Sequence, residues 1–255
     1  MIRIVTRGDD AGSAISANKA IRAACAEGVL RNISLMPPTL FMKDAAERLQ
    51  DLEHVCFGYH CTLSSEWARP RWGSVLPASE VPNLLDETGM FYPSPNALHD
   101  AGFPLDEARK EIKAQLQLLR DLKFDVRYMD EHMGLGWLEG LGDFLQELAD
   151  EEGLIFRPEV QRLKKPEDEV SAEKPLHENF ISMINAASEG AYLVVGHPAY
   201  NDQEMAQYVK DLNDPSEVGE VAKSRDGQRL LFMHEDVVAL FCERDDLQAI
   251  RYDEI

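Results

Sequence analysis

The sequence predicts an α/β protein, a distorted (β/α) TIM-like barrel with about seven mostly parallel strands. Three observations carry this. Strand-like and helix-like segments alternate along the whole chain, the pattern of a parallel sheet with helices outside it. The 255 residues show no composition break, internal repeat or low-complexity tract, so 1–255 reads as one domain of a size common among such barrels. No GxGxxG follows the first strand and no GxxxxGK[ST] occurs, which argues against a dinucleotide fold and a P-loop.

Residues 2–6 are a short β-branched strand. Ile15, Ala20, Ile21, Ala24 and Cys25 then fall near helical spacing, and Gly28 ends that helix. Residues 32–36 form a second strand, stopped by Pro37-Pro38, and 41–49 are helical. A third strand over 55–59 ends at His60. A long irregular insertion follows at about 64–103, carrying Trp67, Trp72 and several prolines. Insertions of this length are uncommon in compact domains and often functional. Its tryptophans could stack on sugar rings, though packing onto the body is the favoured reading.

The clearest helix is 105–122, with Ala108, Ile112, Leu116 and Leu119 on one face. The strand at 126–129 runs into Asp130-Glu131-His132. A helix over 138–151, a short strand at 154–156 and a charged exposed loop at 164–174 come next. After a helix at 180–187, the strand at 192–195 delivers Gly196-His197-Pro198. The acidic stretch 201–217 reads as a mobile surface segment. Helices around 224–231 and 237–241 and a strand around 247–252 complete the chain.

Composition narrows the partners. Acidic residues number 46 against 26 basic ones, a formal charge of −20, which argues against nucleic acid and anionic membrane surfaces. No apolar stretch approaches the ~20 residues of a membrane span. The first strand starts at Ile2, leaving no room for a secretory leader, and the four cysteines show no CxxC spacing. A cytoplasmic protein with buried free thiols is expected. Cys61 follows His60 directly, but strand alternation points it away.

Polar groups recur at strand ends: Asp9-Asp10, His60, His132 and His197. Adjacent carboxylates repel and resist burial, so such pairs suit a metal or a proton transfer. The alternative is that Asp9-Asp10 caps the following helix. In a parallel barrel the carboxyl ends of the strands share one face, so these residues converge. Asp10 with two histidines makes a set that leaves coordination positions open. A second carboxylate beside the metal could take a proton, and a histidine opposite could give one. Asp130 is either a ligand or holds His132 from behind. Arg7 and Arg225 either hold a carboxylate or, the favoured reading, make structural or surface ion pairs. His54, His99, His177 and His234 take no role.

In this order the motifs resemble those of the YdjC-like carbohydrate deacetylases, the chitooligosaccharide deacetylase family. Arg7-Gly8-Asp9-Asp10-Ala11-Gly12, with Asn18 behind it, is similar to that family's Asn-Ala-Asp-Asp-Phe-Gly opening. Asn32-Ile-Ser-Leu-Met36 is similar to its second strand, and Gly58-Tyr-His60-Cys-Thr-Leu63 to its Gly-x-His-x-x-Leu. Tyr128-Met-Asp130-Glu-His132 resembles the start of its Leu-Asp-Ser-His-His run, and Val195-Gly-His197-Pro198 its Val-His-Pro.

The resemblance implies a distorted (β/α) barrel that removes N-acetyl groups from amino sugars with a divalent metal, often magnesium. It implies that Asp10, His60 and His132 bind the metal, that Asp9 is the base and that His197 is the acid. A small carbohydrate is the implied substrate, its phosphate included, and a homodimer the implied assembly. The donor types alone suit zinc or another transition metal, because magnesium prefers more oxygen ligands. Two departures stand out. Ala11 replaces the usual Phe, and after His132 the family's further histidines give way to Met133-Gly134-Leu135-Gly136-Trp137. Two rival readings follow. One is a hydrolase of a phospho-disaccharide or of another carbohydrate amide or ester. The other is a relative that binds sugar or metal without turnover.

Overall fold

The computed structural model describes residues 1–166 and 173–255. Strands and helices alternate as β1 (Ile2–Ala11), α1 (Ile15–Ala26), β2 (Asn32–Leu35), α2 (Met42–Leu49) and β3 (Cys56–Cys61). Next come α3 (Pro95–Asp100), α4 (Leu105–Asp121), β4 (Val126–Glu131), α5 (Leu141–Glu152), β5 (Ile155–Phe156) and β6 (Gln161–Arg162). The chain continues through α6 (Leu176–Asn185), β7 (Gly190–Gly196), α7 (Glu220–Met233), α8 (Glu235–Glu243) and β8 (Leu247–Ile250). The sheet runs β5-β4-β3-β2-β1-β7-β6, with β8 also on β1, and every strand pairing among the described residues is parallel. This is the expected TIM-like α/β fold, as an open curl: β5 and β6 end the path and do not pair with each other. No described helix is long and apolar enough to cross a membrane.

β1 divides one edge between two partners, β8 along residues 2–5 and β2 farther on. Asn32 fills the junction. Its Nδ2 donates to the carbonyls of Thr6 and Ile250, each at 3.0 Å, and its Oδ1 accepts from the Tyr252 amide at 2.8 Å. A buried amide thus ties together main-chain groups of β1, β8 and the segment after β8.

Alternation sorts each strand into two faces. Ile2 and Ile4, Ile33 and Leu35, and Phe57, Tyr59 and Cys61 pack outward in the large core beneath the helices. Inside the curl, Val5, Cys56, Tyr128, Ile250 and Tyr252 form a small apolar floor. Farther along the strands the inner face turns polar, with Arg7, Ser34, His60 and Asp130 joined by hydrogen bonds and ion pairs. Cys61 therefore points away from the polar layer, as alternation predicts. Gly58 sits opposite Tyr128, and a Cβ there would come within 2.2 Å of the Tyr128 ring. The missing side chain makes room for that ring, which stacks on Tyr252 at 4.0 Å between centroids.

Two stretches are better ordered than their composition suggests. Within 64–103, Trp67, Trp72, Leu84, Phe91 and Leu98 are buried, and Ser94 caps α3. The tryptophans pack the segment onto the body, the favoured reading. The stretch 201–217, expected to be a mobile surface segment, is exposed over 201–203 and 210–216 but anchored between them, where Met205, Tyr208 and Val209 are at most 2% exposed. Apolar anchors spaced among acids escape a composition-based reading. The expected loop at 164–174 falls in part on residues 167–172, which lie outside the described residues; Lys164 and Lys165 are exposed.

Candidate metal centre and active site

β1 runs on past the expected boundary, through Asp9 and Asp10, and its register with β2 shifts between Gly8 and Ala11. Asp10 has φ +64°, a left-handed conformation that Asp tolerates better than most side chains. This irregularity breaks the strict alternation, so both carboxylates line one pocket. Neither caps α1. The Ala14 N-cap offers no side chain, and Glu204 accepts from the amides of Ile15 and Ser16 at 3.0 and 2.7 Å.

Asp10, His60 and His132 are all nearly fully buried and meet at the carboxyl end of the curl. Oδ1 of Asp10 lies 3.5 Å from His60 Nε2 and 3.6 Å from His132 Nδ1, and the two nitrogens are 3.2 Å apart. Donors about 2.0–2.2 Å from a shared ion at tetrahedral angles would stand ~3.3–3.6 Å apart. Oδ1 of Asp10 is buried with no hydrogen-bond partner, which leaves it free to ligate a metal.

Each donor is held by a partner on its far side. Arg225 donates to Asp10 Oδ2 at 2.7 Å. His60 Nδ1 bonds Asp130 Oδ1, whose other oxygen accepts from Ser34 at 2.6 Å and pairs with Arg7 at 2.7 Å. His132 Nε2 lies 3.0 Å from Glu66 Oε2. Asp130 therefore stands behind His60 rather than behind His132. Register explains this: His60 and Asp130 are direct neighbours across β3 and β4, whereas His132 lies just past the end of β4.

Asp9 is engaged from below by Arg7, whose Nε and Nη2 donate to its two oxygens at 2.6 and 2.8 Å. His197 follows β7. Its amide donates to Gln228 Oε1 at 2.6 Å, and its Nδ1 lies 3.4 Å from the same oxygen. Asp9, Asp10, His60, His132 and His197 line one pocket of about 440 Å³, so the structure brings together all five residues singled out from sequence.

Charge explains what such a site would bind. Asp9, Asp10, Asp130 and Glu66 face two guanidiniums, Arg7 and Arg225, which leaves two negative charges before the histidines are counted. Burial alone would raise the Asp10 and Asp130 carboxyls. Arg225 beside Asp10, and Arg7 beside Asp130, outweigh it and hold both below the usual range, with help from His60. Burial would lower the His60 imidazole, yet the carboxylates of Asp130, Asp9 and Asp10 push it up to about 10. Without a metal that environment keeps a proton on His60; a divalent cation would displace it and take over its role of balancing the surplus carboxylates.

A second trio, His177, His234 and Asp236, fits poorly. The two imidazoles stack at 3.5 Å with only 9° between planes. Their lone pairs lie in parallel planes and cannot both aim at one ion.

A family model described as YdjC-like protein matches residues 3–243, nearly the whole chain. The chain belongs to the YdjC-like family. Two curated relatives are called carbohydrate deacetylases. One, from Thermoanaerobacter pseudethanolicus, is 26% identical over 79% of this chain and 83% of its own length. The other, from Geobacillus stearothermophilus, is 24% identical over 86% of this chain and 92% of its own length. In fold, the YdjC-like chain is similar to an Enterococcus faecalis V583 protein provisionally described as a cellobiose-phosphate cleavage protein. The TM-score is 0.78 at 18% identity, covering 99% of this chain and 98% of that one.

Residues of this YdjC-like site that carried no signal in the sequence are Glu66 and Gln228. Both reach the pocket from irregular or helical segments, and their partners lie 66 and 31 positions away. Arg7 and Arg225 do make ion pairs, as expected, but with the site's own carboxylates.

Proposed function

We propose that this chain is a metal-dependent carbohydrate deacetylase that removes N-acetyl groups from a small amino-sugar oligosaccharide or its phosphate. The convergence of Asp10 Oδ1, His60 Nε2 and His132 Nδ1 beside Asp9 carries this reading. The names of the two relatives supply the reaction class.

Asp10, His60 and His132 would hold the metal. A divalent cation bound there would lower the pKa of a water and polarise the acetyl carbonyl. The remaining work falls to the chain's own groups. Asp9, kept in place by the Arg7 fork, keeps a lone pair on each oxygen and takes the proton of the attacking water. His197, with its backbone and Nδ1 set against Gln228, gives a proton to the departing amine. The amine is a poor leaving group until it is protonated, so an acid is needed as well as a base. The nitrogen-rich donor set suits zinc or another transition metal, while the family habit is magnesium; metal analysis of purified protein would decide between them.

The test is acetate release from N-acetylglucosamine and its oligosaccharides, with and without a phosphate group, in the presence of added divalent metal. Acetate from one or more members supports the reading and names the substrate. Metal uptake with no acetate from any of them would favour another hydrolase or a binding protein.

A further inference from the structure

We infer that Glu66 is a positioning residue for the metal centre: it takes the Nε2 hydrogen of His132 and so presents the Nδ1 lone pair to Asp10 and His60. The inference rests on the metal-centre reading above. A neutral imidazole carries one hydrogen, and the nitrogen that keeps it is set by the acceptor it meets.

The two histidines of this site are solved in opposite senses. His60 meets Asp130 at Nδ1 and turns Nε2 inward. His132 meets Glu66 at Nε2, at 3.0 Å, and turns Nδ1 inward, 3.6 Å from Asp10 Oδ1. Glu66 thus lies on the far side of the His132 ring from Asp10. With Glu66 absent, no acceptor described at Nε2 would hold the hydrogen there, and only the 3.2 Å contact from His60 Nε2 to Nδ1 would oppose the other tautomer, which closes the ligand position.

A carboxylate on an irregular segment could be too loose for this task, but here its neighbours are fixed. The Ser65 amide donates to the Tyr92 carbonyl at 2.9 Å, and Ser65 Oγ accepts from the Trp72 amide at 3.1 Å. The Trp72 indole donates to the Ser64 carbonyl at 2.8 Å, and its ring faces His132 edge-on at 6.4 Å. On the other side, Trp67 is buried against Tyr208, and the Ala68 amide donates to the Val209 carbonyl at 2.8 Å. The side chain of Glu66 is only 13% exposed. The segment between β3 and α3 therefore works as a fixed support for one ligand, and its seating sets the metal affinity.

The experiment compares wild type with Glu66→Ala and Glu66→Gln by three readouts. Nitrogen-15 NMR of the histidines, on metal-free protein at a pH of about 8, reports the His132 tautomer. Competition against a chromophoric chelator gives the Co2+ or Zn2+ affinity, and thermal unfolding gives stability. Wild type should show the Nε2–H form at His132. Glu66→Ala should lose that preference and bind metal ~10–100-fold more weakly, as expected for loss of a partner behind a ligand. Glu66→Gln, whose amide oxygen can still accept, should recover part of both. An unchanged tautomer and affinity in Glu66→Ala, with or without a drop in thermal stability, would overturn the proposal. If wild type takes up no metal, the metal reading fails, and the His132 tautomer alone then judges Glu66: loss of the preference in Glu66→Ala upholds its hold on His132, and no change refutes it.

Discussion

Arg225 and Asp10 stand 215 positions apart in the chain and meet at 2.7 Å, Nη2 on Oδ2. That contact engages one carboxylate oxygen and leaves the other buried beside two imidazole nitrogens. The guanidinium is itself nearly buried and lies 5.6 Å from the centre of the Trp67 ring.

Arg225→Met should strand the Asp10 carboxylate without its counter-charge. Breaking a buried pair from one side costs about 3–5 kcal/mol. A bound cation would supply part of the missing charge. Urea denaturation should therefore show a large loss of stability, which added divalent metal reduces more than it stabilises wild type. Equal stability with and without the arginine would contradict the assigned role.

Asp9→Asn keeps the shape of the site and removes the proposed base. Asp9 has its oxygens on Arg7, so metal binding should change by no more than a few-fold. Turnover should fall ~10²–10⁴-fold, the usual contribution of a positioned acid or base. Steady-state rates beside a metal titration separate the two effects, and near-normal turnover would remove Asp9 from the mechanism.

Gly58→Ala probes the packing beneath the site. The added Cβ would come within 2.2 Å of the Tyr128 ring, which Tyr252 and the 2.9 Å contact with Ser34 already confine. Overpacking of this kind costs about 1–3 kcal/mol. Equilibrium denaturation should report that loss; a neutral substitution would mean that Tyr128 can move aside.

Glu111 ties the irregular segment to α4. It is fully buried and accepts from the amides of Val75 and Leu76 at 2.8 and 3.0 Å and from Gln115 at 2.8 Å. Truncation strands several donors, and each buried one left unpaired costs about 1–3 kcal/mol. Glu111→Ala should lower stability and speed hydrogen exchange at Val75 and Leu76. Unchanged exchange at both amides would show that the segment holds without this anchor.

The curl and the face that carries the site are legible in the sequence because alternation and strand ends are local signals. His60, His132 and His197 each close or follow an apolar strand, so one topological rule collects them. The partners behind them are not legible in the same way. Asp130 serves His60 through strand register, which no single strand reveals. Glu66 belongs to a segment with no period, and Arg225 sits on a mostly polar helix where any arginine reads as surface. The stretch after residue 200 misleads for a related reason: its acids dominate, while Glu204 and a few apolar side chains fasten it to α1 and the core.

The central claim is that a cation held by Asp10, His60 and His132 is required for deacetylation. The most direct measurement strips wild type and His60→Ala with chelator, adds back graded divalent metal, and follows both bound metal and acetate release from an active N-acetylated sugar. The account predicts that wild type loses and then regains both together, while His60→Ala regains neither at metal concentrations that saturate wild type. Full acetate release from chelated wild type, or stoichiometric metal with normal turnover in His60→Ala, would contradict it.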